Sequence, residues 1–389
     1  MVSFAVVIAL AATVAAQTPI TFSTIRPSYT EIEATAATAP VGELTSNVNG
    51  HAFNRFIQIW LENQNYDTAA VDPSFEELAK QGITLTNYWA LTHPSEPNYV
   101  AAVGGDYFGI DSDNFERVPA NVSTVVDLLE TKHISWAEYQ EDMPYAGFEG
   151  YNFSNQQTFA SDYVRKHNPL VIYDSIANNK ERLSNIKNFT SFYYDLQNGL
   201  LPQWSFITPN MTNDGHDTNM TVGGKWSLDF LTPLLSNSYF MKNTLILLTF
   251  DENGTKSIGN KVFSILLGDA VPTHYKGTSD NTFYTHYSCI SSVSHNWGLP
   301  TLGRNDYGSN VFQFVAEATG YRNKAVDTTG FYANSSIPGY LSSKQWAPLP
   351  VPITSGNVLQ SVKQTWGKFG GHSPYNASSP LPYDSFYAY

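Results

Sequence analysis

In "LTHPSEPNYVAAVGG", residues 91–105, Ser95 lies between two prolines, after His93 and just before a small, apolar run. A polar turn that opens a helix can hold a hydroxyl as a nucleophile, although such turns also start ordinary helices. Two apolar runs elsewhere end abruptly in acid. "IQIWLEN" ends in Glu62 and Asn63, with Asp67 just beyond, and "LILLTFDENG" ends in Asp251 and Glu252. Carboxylates brought together repel one another and are costly to bury. A hard divalent cation removes that cost by accepting their oxygens. A serine hydroxyl beside such an ion is more easily ionised, and its alkoxide can attack phosphorus. Taken singly, each cluster also fits a solvated strand end. Together they predict that the two acidic ends meet Ser95 at one ion.

Basic and histidine residues form a second constellation. "YVRKHNPL" groups Arg165, Lys166 and His167, a concentrated positive spot suited to a phosphate. "PNMTNDGHDT" groups Asp214, His216 and Asp217 in a polar loop, which suits His216 as a proton donor to a leaving alkoxide. His286 opens the segment "HYSCISSVSHNWG", and His93 lies two residues before Ser95. A lone histidine is more often structural than catalytic, so these count only as a set.

Such a set needs a scaffold that gathers distant segments. "RFIQIWLEN", "ITLTNYWAL", "SWAEYQE", "QWSFITPN", "NTLILLTFDEN" and "KVFSILLGD" read as strands. Helical patterns alternate with them: "DPSFEELAKQG" with Asp72 as N-cap, "VSTVVDLLETKHI", "WSLDFLTPLLSN" despite Pro233, and "THYSCISSVSHNWG". The alternation predicts an α/β fold, layered around a mainly parallel sheet. In open parallel sheets, ligands bind beyond the carboxyl ends of strands, which is where the acids stand. Composition divides the chain into a leader (1–16), an extended arm rich in Thr, Ala, Ser and Pro (17–50), a catalytic body (51–320) and an irregular wrap of the same domain (321–389).

The chain has 389 residues, 42% hydrophobic, enough for a large core. Its net charge of -13 argues against a nucleic-acid partner and demands a local cation wherever an anion is to bind. "MVSFAVVIALAATVAA" reads as a secretory signal peptide ending at Ala16, and no segment is long and apolar enough for a membrane anchor. Eight Asn-x-Ser/Thr sequons, at Asn121, Asn152, Asn188, Asn210, Asn219, Asn253, Asn334 and Asn376, suggest a glycosylated protein of the extracellular space or cell wall. Cys289 is the only cysteine, so no internal disulfide forms, and it reads as a small buried helix residue.

In order, "LENQNYD", "THPSEPNYVAAVGG", "YVRKHNP", "PNMTNDGHD", "TFDENG" and "THYSCISSVSHNWGLP" resemble the secreted fungal acid phosphatases of the phosphoesterase family. The resemblance runs from about Arg55 to Pro300. That family is related to bacterial acid phosphatase A and the bacterial phospholipases C, which implies an alkaline-phosphatase-like three-layer sandwich. The resemblance implies one divalent metal ion held by Glu62, Asn63, Ser95, Asp251 and Glu252, with Asn63 also contacting substrate. It makes Ser95 the nucleophile and His216 the acid. It places His286 and His167 around the phosphoryl group, with His93 the weakest match, and the positive spot of Arg165 and Lys166 is expected beside them. The two-zinc alkaline phosphatases hold a second metal, for which Asp214 and Asp217 are the available acids. The reaction expected is hydrolysis of small phosphate esters through a phosphoserine, at acid pH, with protonated histidines facing the acidic pair. A phospholipase C or other phosphodiesterase would use the same serine and metal. The 14% aromatic content also suits a non-catalytic glycan- or wall-binding protein.

Overall fold

A computed structural model of the chain describes residues 26–336, 339–342, 349–369 and 372–382. The expected leader, residues 1–16, lies outside the described residues.

The apolar runs become strands of an eight-stranded sheet. In chain order these are β1 (Arg55–Leu61), β2 (Ile83–Leu85), β3 (Trp136–Gln140), β4 (Ile186–Asn188), β5 (Trp204–Thr208), β6 (Thr244–Phe250), β7 (Ser264–Leu267) and β8 (Thr278–Asp280). Across the sheet they run β8-β2-β7-β6-β1-β5-β3-β4. All neighbours are parallel except β7, which is antiparallel to both β2 and β6. The sheet is therefore mainly parallel, as the alternation predicts. β1 and β6 lie at its centre and are buried almost throughout, because layers cover both faces.

Four helices matter to the site: α1 (Pro73–Ala79), α2 (Ser95–Gly104), α3 (Met220–Leu235) and α4 (Tyr287–Trp297). Leu61 is the register partner of Phe250, so the two share a face, and Phe250 meets Phe75 of α1 with ring centroids 5.6 Å apart. Trp60 must point to the opposite face. There it meets Tyr99 of α2 at 5.2 Å and His286, just before α4, at 4.3 Å. α1 packs on α3, and α2 packs on α4. The two helix pairs thus sandwich the sheet in three layers.

Local signals explain several boundaries. Asp72 caps α1, accepting from Ser74 N–H at 2.9 Å and Phe75 N–H at 3.3 Å, with Pro73 in the first turn. "ITLTNYWAL" is not one strand: β2 ends at Leu85, and Tyr88–Trp89 pairs with Tyr284–Thr285 in a separate small sheet. The helix of "VSTVVDLLETKHI" covers only Val125–Glu130, opened by a Thr124–Asp127 capping box. The stretch read as an extended arm contains a helix, Tyr29–Ala36, which buries only Ile32. Its polar surface left no apolar stripe to read. The described tail is mostly irregular, with one helix at Gln360–Trp366. It is tied to the body by a Thr301–Val358 bridge and by Tyr375, which donates to Asp106.

Candidate active site

The register that pairs Leu61 with Phe250 sets the next residues, Glu62 and Asp251, side by side at the strand ends. Asp251 N–H donates to the Leu61 carbonyl at 3.1 Å, and Glu62 N–H to the Asp214 carbonyl at 2.9 Å, so the loop after β5 joins the same corner. Asn63 leaves the strand with φ of 45°, a left-handed conformation that asparagine tolerates. Its backbone N–H donates to Asp251 Oδ1 at 3.2 Å. Its amide lies against both carboxylates. With the nitrogen inward it donates to Asp251 Oδ1 at 3.2 Å and Glu62 Oε2 at 2.9 Å. With the oxygen inward it joins the acidic oxygens, which is favourable only around a cation.

Ser95 is the first residue of α2, a helix buried along its whole length. Its Oγ donates to Glu62 Oε2 at 3.0 Å. The turn before it is held by Asn98, which accepts from the N–H groups of Leu91 (3.0 Å) and Thr92 (3.3 Å). The Asn98 nitrogen donates to the carbonyls of Thr92 (2.9 Å) and Pro94 (3.2 Å) and to Glu252 Oε2 (3.3 Å). Tyr99 donates to Glu62 Oε1 at 2.5 Å. The positive end of the α2 dipole points into this corner and favours an anion there.

His167 lies 3.1 Å from Glu62 Oε1 through Nε2 and 3.6 Å from Asp214 Oδ2 through Nδ1, stacked on Tyr99. His93 Nδ1 lies 3.0 Å from Glu252 Oε2. These contacts are close but poorly aligned. Both His93 nitrogens, His167 Nε2, Asp214 Oδ2, Asp251 Oδ2 and both Glu96 carboxyl oxygens are buried without a hydrogen-bond partner. Buried polar atoms normally find partners, so this concentration marks a place that a ligand completes. Lys166 Nζ pairs with Asp113 Oδ2 at 3.0 Å and lies 3.5 Å from His216 Nε2. His216 Nδ1 is 2.8 Å from Asp217 Oδ1, and its backbone N–H donates to Asp214 Oδ1 at 2.7 Å.

Burial, then the neighbouring Asp251 charge, raises the Glu62 carboxyl well above its ordinary range. Burial and Glu252 do the same to Asp251, and burial and Glu62 push Glu252 up to about 9. Burial opposes the charge on Lys166, but Glu62 and Asp113 outweigh it and raise that amine. The histidines move the other way. Burial, with Lys166 and His216 nearby, holds His167 well below its ordinary value, while burial takes His93 to about 4 and His286 to about 3. Burial thus disfavours the protonated form of these three histidines, against the expectation that His167 and His286 stand protonated, and Lys166 is the favoured cation beside Glu62.

Two residues expected around the phosphoryl group face elsewhere. His286 is fully buried behind Asp251, with Nε2 2.6 Å from the Asp251 carbonyl and Nδ1 3.3 Å from Tyr88 Oη. It braces the acidic strand end. Arg165 is buried and donates to the carbonyls of Glu116 (2.7 Å) and Val171 (3.1 Å) under the ring of Phe115. Among the sequons, Asn253 is 1% exposed and its nitrogen donates to the Gly259 carbonyl at 2.9 Å, which leaves no room for a glycan. Asn121, Asn152, Asn219 and Asn376 are exposed, whereas Asn188, Asn210 and Asn334 are half-buried with their amides engaged.

Glu62, Asp251, Asn63 and Ser95 form the tightest oxygen set. Glu252 turns its Oε2 to His93 and Asn98. Among the described residues no three His, Cys, Asp or Glu side chains converge closely enough to hold an ion alone. A cation would therefore draw on Asn63 and Ser95 and turn Glu252 inward. Sequence reading passed over Asn98 and Tyr99, although three and four residues after Ser95 is the spacing of one helix face. Asp113 had no signal.

Residues 40–300 match the phosphoesterase family. The acid phosphatase of Aspergillus fumigatus is 58% identical over 369 residues, 92% of this chain and 82% of that protein. A probable acid phosphatase of Kluyveromyces lactis is 60% identical over 352 residues, 89% of this chain and 83% of that protein. Among solved structures, a protein in the alkaline phosphatase superfamily from Vibrio parahaemolyticus is similar with a TM-score of 0.40 and 11% identity, covering 68% of this chain and 73% of that one. The matched span holds both acidic strand ends, the Ser95 turn and the Lys166–His216 side of the site, and the chain belongs to the phosphoesterase family.

Proposed function

We propose that this chain is a secreted acid phosphatase that hydrolyses small phosphate monoesters through a phosphoserine on Ser95, with one divalent cation at Glu62, Asn63, Ser95, Asp251 and Glu252. Acid phosphatase is the activity for which its fungal relatives are named. The observation that carries the reading is Ser95 Oγ, 3.0 Å from Glu62 Oε2, at the N-terminus of a buried helix. A cation fits this corner, because Asp251 Oδ2 is buried without a partner and burial leaves the adjoining carboxylates short of positive charge. When bound, the cation supplies Lewis acidity that favours the serine alkoxide and offsets phosphoryl charge.

The chain's own residues do the rest. Glu62 orients the Ser95 hydroxyl, and Tyr99 fixes Glu62. Lys166 and the positive end of α2 draw in the phosphoryl oxygens. Ser95 Oγ attacks phosphorus in line, passing its proton to Glu62 Oε2, 3.0 Å away; the Oγ–P bond forms as the ester O–P bond breaks, and the proton returns to Oγ when water cleaves the phosphoserine. His216, oriented by Asp217, gives its proton to the leaving alkoxide and then takes one from the water that cleaves the phosphoserine. The leader-like residues 1–16 and four exposed sequons support secretion. Among the described residues, no helix is long and apolar enough to cross a membrane. Acid-quenching a reaction with an aryl phosphate and mapping the bound phosphate tests the reading. The phosphate is expected on Ser95, and a folded Ser95→Ala variant that still turns over would overturn it.

A further inference from the structure

The family match ends at residue 300. Beyond it, residues 331–336 lie against both loops that build the site. One loop, ending in Thr92 and His93, delivers Ser95; the other follows Glu252 as far as Asn260. On the acidic side, Asn260 N–H donates to the Tyr332 carbonyl at 2.8 Å. Asn334 donates to the carbonyls of Lys256 (2.9 Å) and Ile258 (2.6 Å). On the nucleophile side, Thr92 Oγ1 and Ser336 Oγ are 2.8 Å apart, and Ser336 donates onward to the Ile110 carbonyl at 2.8 Å.

Asn260 joins the two sides. It is fully buried, and its Oδ1 accepts from Asn253 N–H at 2.8 Å. Its nitrogen donates to the Thr92 carbonyl and to the Ala333 carbonyl, both at 3.0 Å. One acceptor and two donors on so short a stem is what an asparagine amide offers. The Thr92 carbonyl also receives Asn98, which reaches Glu252. The acidic loop, the nucleophile turn and the tail thus share one hydrogen-bonded junction.

We propose that Asn260 and the 331–336 segment are positioning elements for phosphoryl transfer, fixing Ser95 relative to the Asp251–Glu252 pair. The inference rests on Ser95 being the nucleophile. In-line attack is sensitive to placement, and a shift of about 1 Å costs about 100-fold in rate. The junction stands behind the reacting groups, so its loss slows the chemical step more than it weakens substrate binding.

The test uses the full chain with Asn260→Asp, Ser336→Ala and Ser336→Thr. Asn260→Asp keeps the acceptor for Asn253 and removes both donations; Ser336→Thr keeps the hydroxyl. kcat and KM on an aryl phosphate are measured alongside Tm, with the phosphoenzyme burst counting active sites. Asn260→Asp is expected to lower kcat per active site by about tenfold or more with KM within about twofold. Ser336→Ala should lower kcat by about threefold or more, and Ser336→Thr should restore it. If Asn260→Asp fails to fold, the Ser336 pair carries the test. Wild-type kcat per active site in the folded variants, whatever their Tm, overturns the inference. Ser95→Ala run in parallel separates the two readings. An active Ser95→Ala removes the nucleophile assignment, whereas an inactive one beside fully active junction variants removes only this proposal.

Discussion

Glu62 and Asp251 are neighbours because their strands pair in register at Leu61 and Phe250. Two buried acids are thereby set side by side, and each raises the cost of ionising the other. Asp251→Asn should therefore lower activity by about 100-fold or more while leaving the cation-free fold at least as stable. Metal content after dialysis should fall below that of the parent protein, and Tm in chelator should not. A variant that keeps both metal and turnover would release Asp251 from the site.

The same acids set a pH dependence. Glu62, Asp251 and Glu252 titrate above their ordinary range, Glu252 at about 9, chiefly through burial. Their protonated forms stabilise the cation-free fold fully below about pH 4, where the unfolded chain also holds those protons, and that stability is lost as pH rises towards 9. His93 and His286, lowered to about 4 and about 3, contribute stability at neutral pH that is lost as pH falls below about 6.5. Between about pH 6.5 and 9 only the acids act, so Tm in chelator should fall across that window. A saturating divalent cation should raise Tm more at the upper end, because fewer protons must be expelled. A cation effect that is flat across the window would dissociate these acids from the metal.

Lys166 is the cation held beside Glu62 by Asp113. Lys166→Met should raise KM by roughly 10–100-fold, the worth of a charged hydrogen bond to phosphate. Inorganic phosphate should weaken as an inhibitor in parallel. Unchanged inhibition would place the phosphoryl group elsewhere.

His216 carries Asp217 on one nitrogen and turns the other towards Lys166. His216→Asn should slow alkyl phosphates by about 10²–10⁴-fold and aryl phosphates far less, since a phenolate needs little protonation to leave. Equal slowing of both substrates would remove His216 from the acid role.

Arg304 supports α2 from the far end. It is fully buried and donates to the carbonyls of Gly104, the last residue of α2, at 2.9 Å and of Ser123 at 3.0 Å. Its charge complements the negative end of the dipole and the buried acids Asp106 and Asp306. Arg304→Leu removes the buried positive charge facing them and should cost about 3–5 kcal/mol in denaturant unfolding. A loss under about 1 kcal/mol would mean that other groups satisfy these acids and carbonyls.

β1 and β6 were legible because burial on both faces writes a near-continuous apolar run, interrupted inside only by Gln58 and Thr249. The direction of β7 was not, since hydropathy does not encode polarity along a strand. β8 is three residues long and mostly exposed, too short for any period. Glu62, Ser95 and Asp251 could be singled out because each stands where an apolar or small-residue run changes character. Arg165 and Lys166 show the limit. They are adjacent and chemically alike, yet one turns inward to Glu116 and Val171 and the other outward to Asp113. His286 has a site-like neighbourhood in sequence, but only packing against Trp60 reveals that it stands behind Asp251. Asp113 serves by bonding other segments, Glu96 N–H and Lys166, which leaves no pattern in its own, whereas Asn98 ties its own turn and shows only as the spacing of one helix face after Ser95.

Every residue from Ser95 to Gly104 is buried. The interior amides of that helix are shielded on all sides, so they exchange with deuterium only when the domain opens as a whole. Fraying of the Tyr29–Ala36 helix, which buries a single side chain, leaves Ser95 where it is. Ser95 and the sheet therefore share one opening free energy, and on heating the enzyme keeps its serine in place until the fold itself melts.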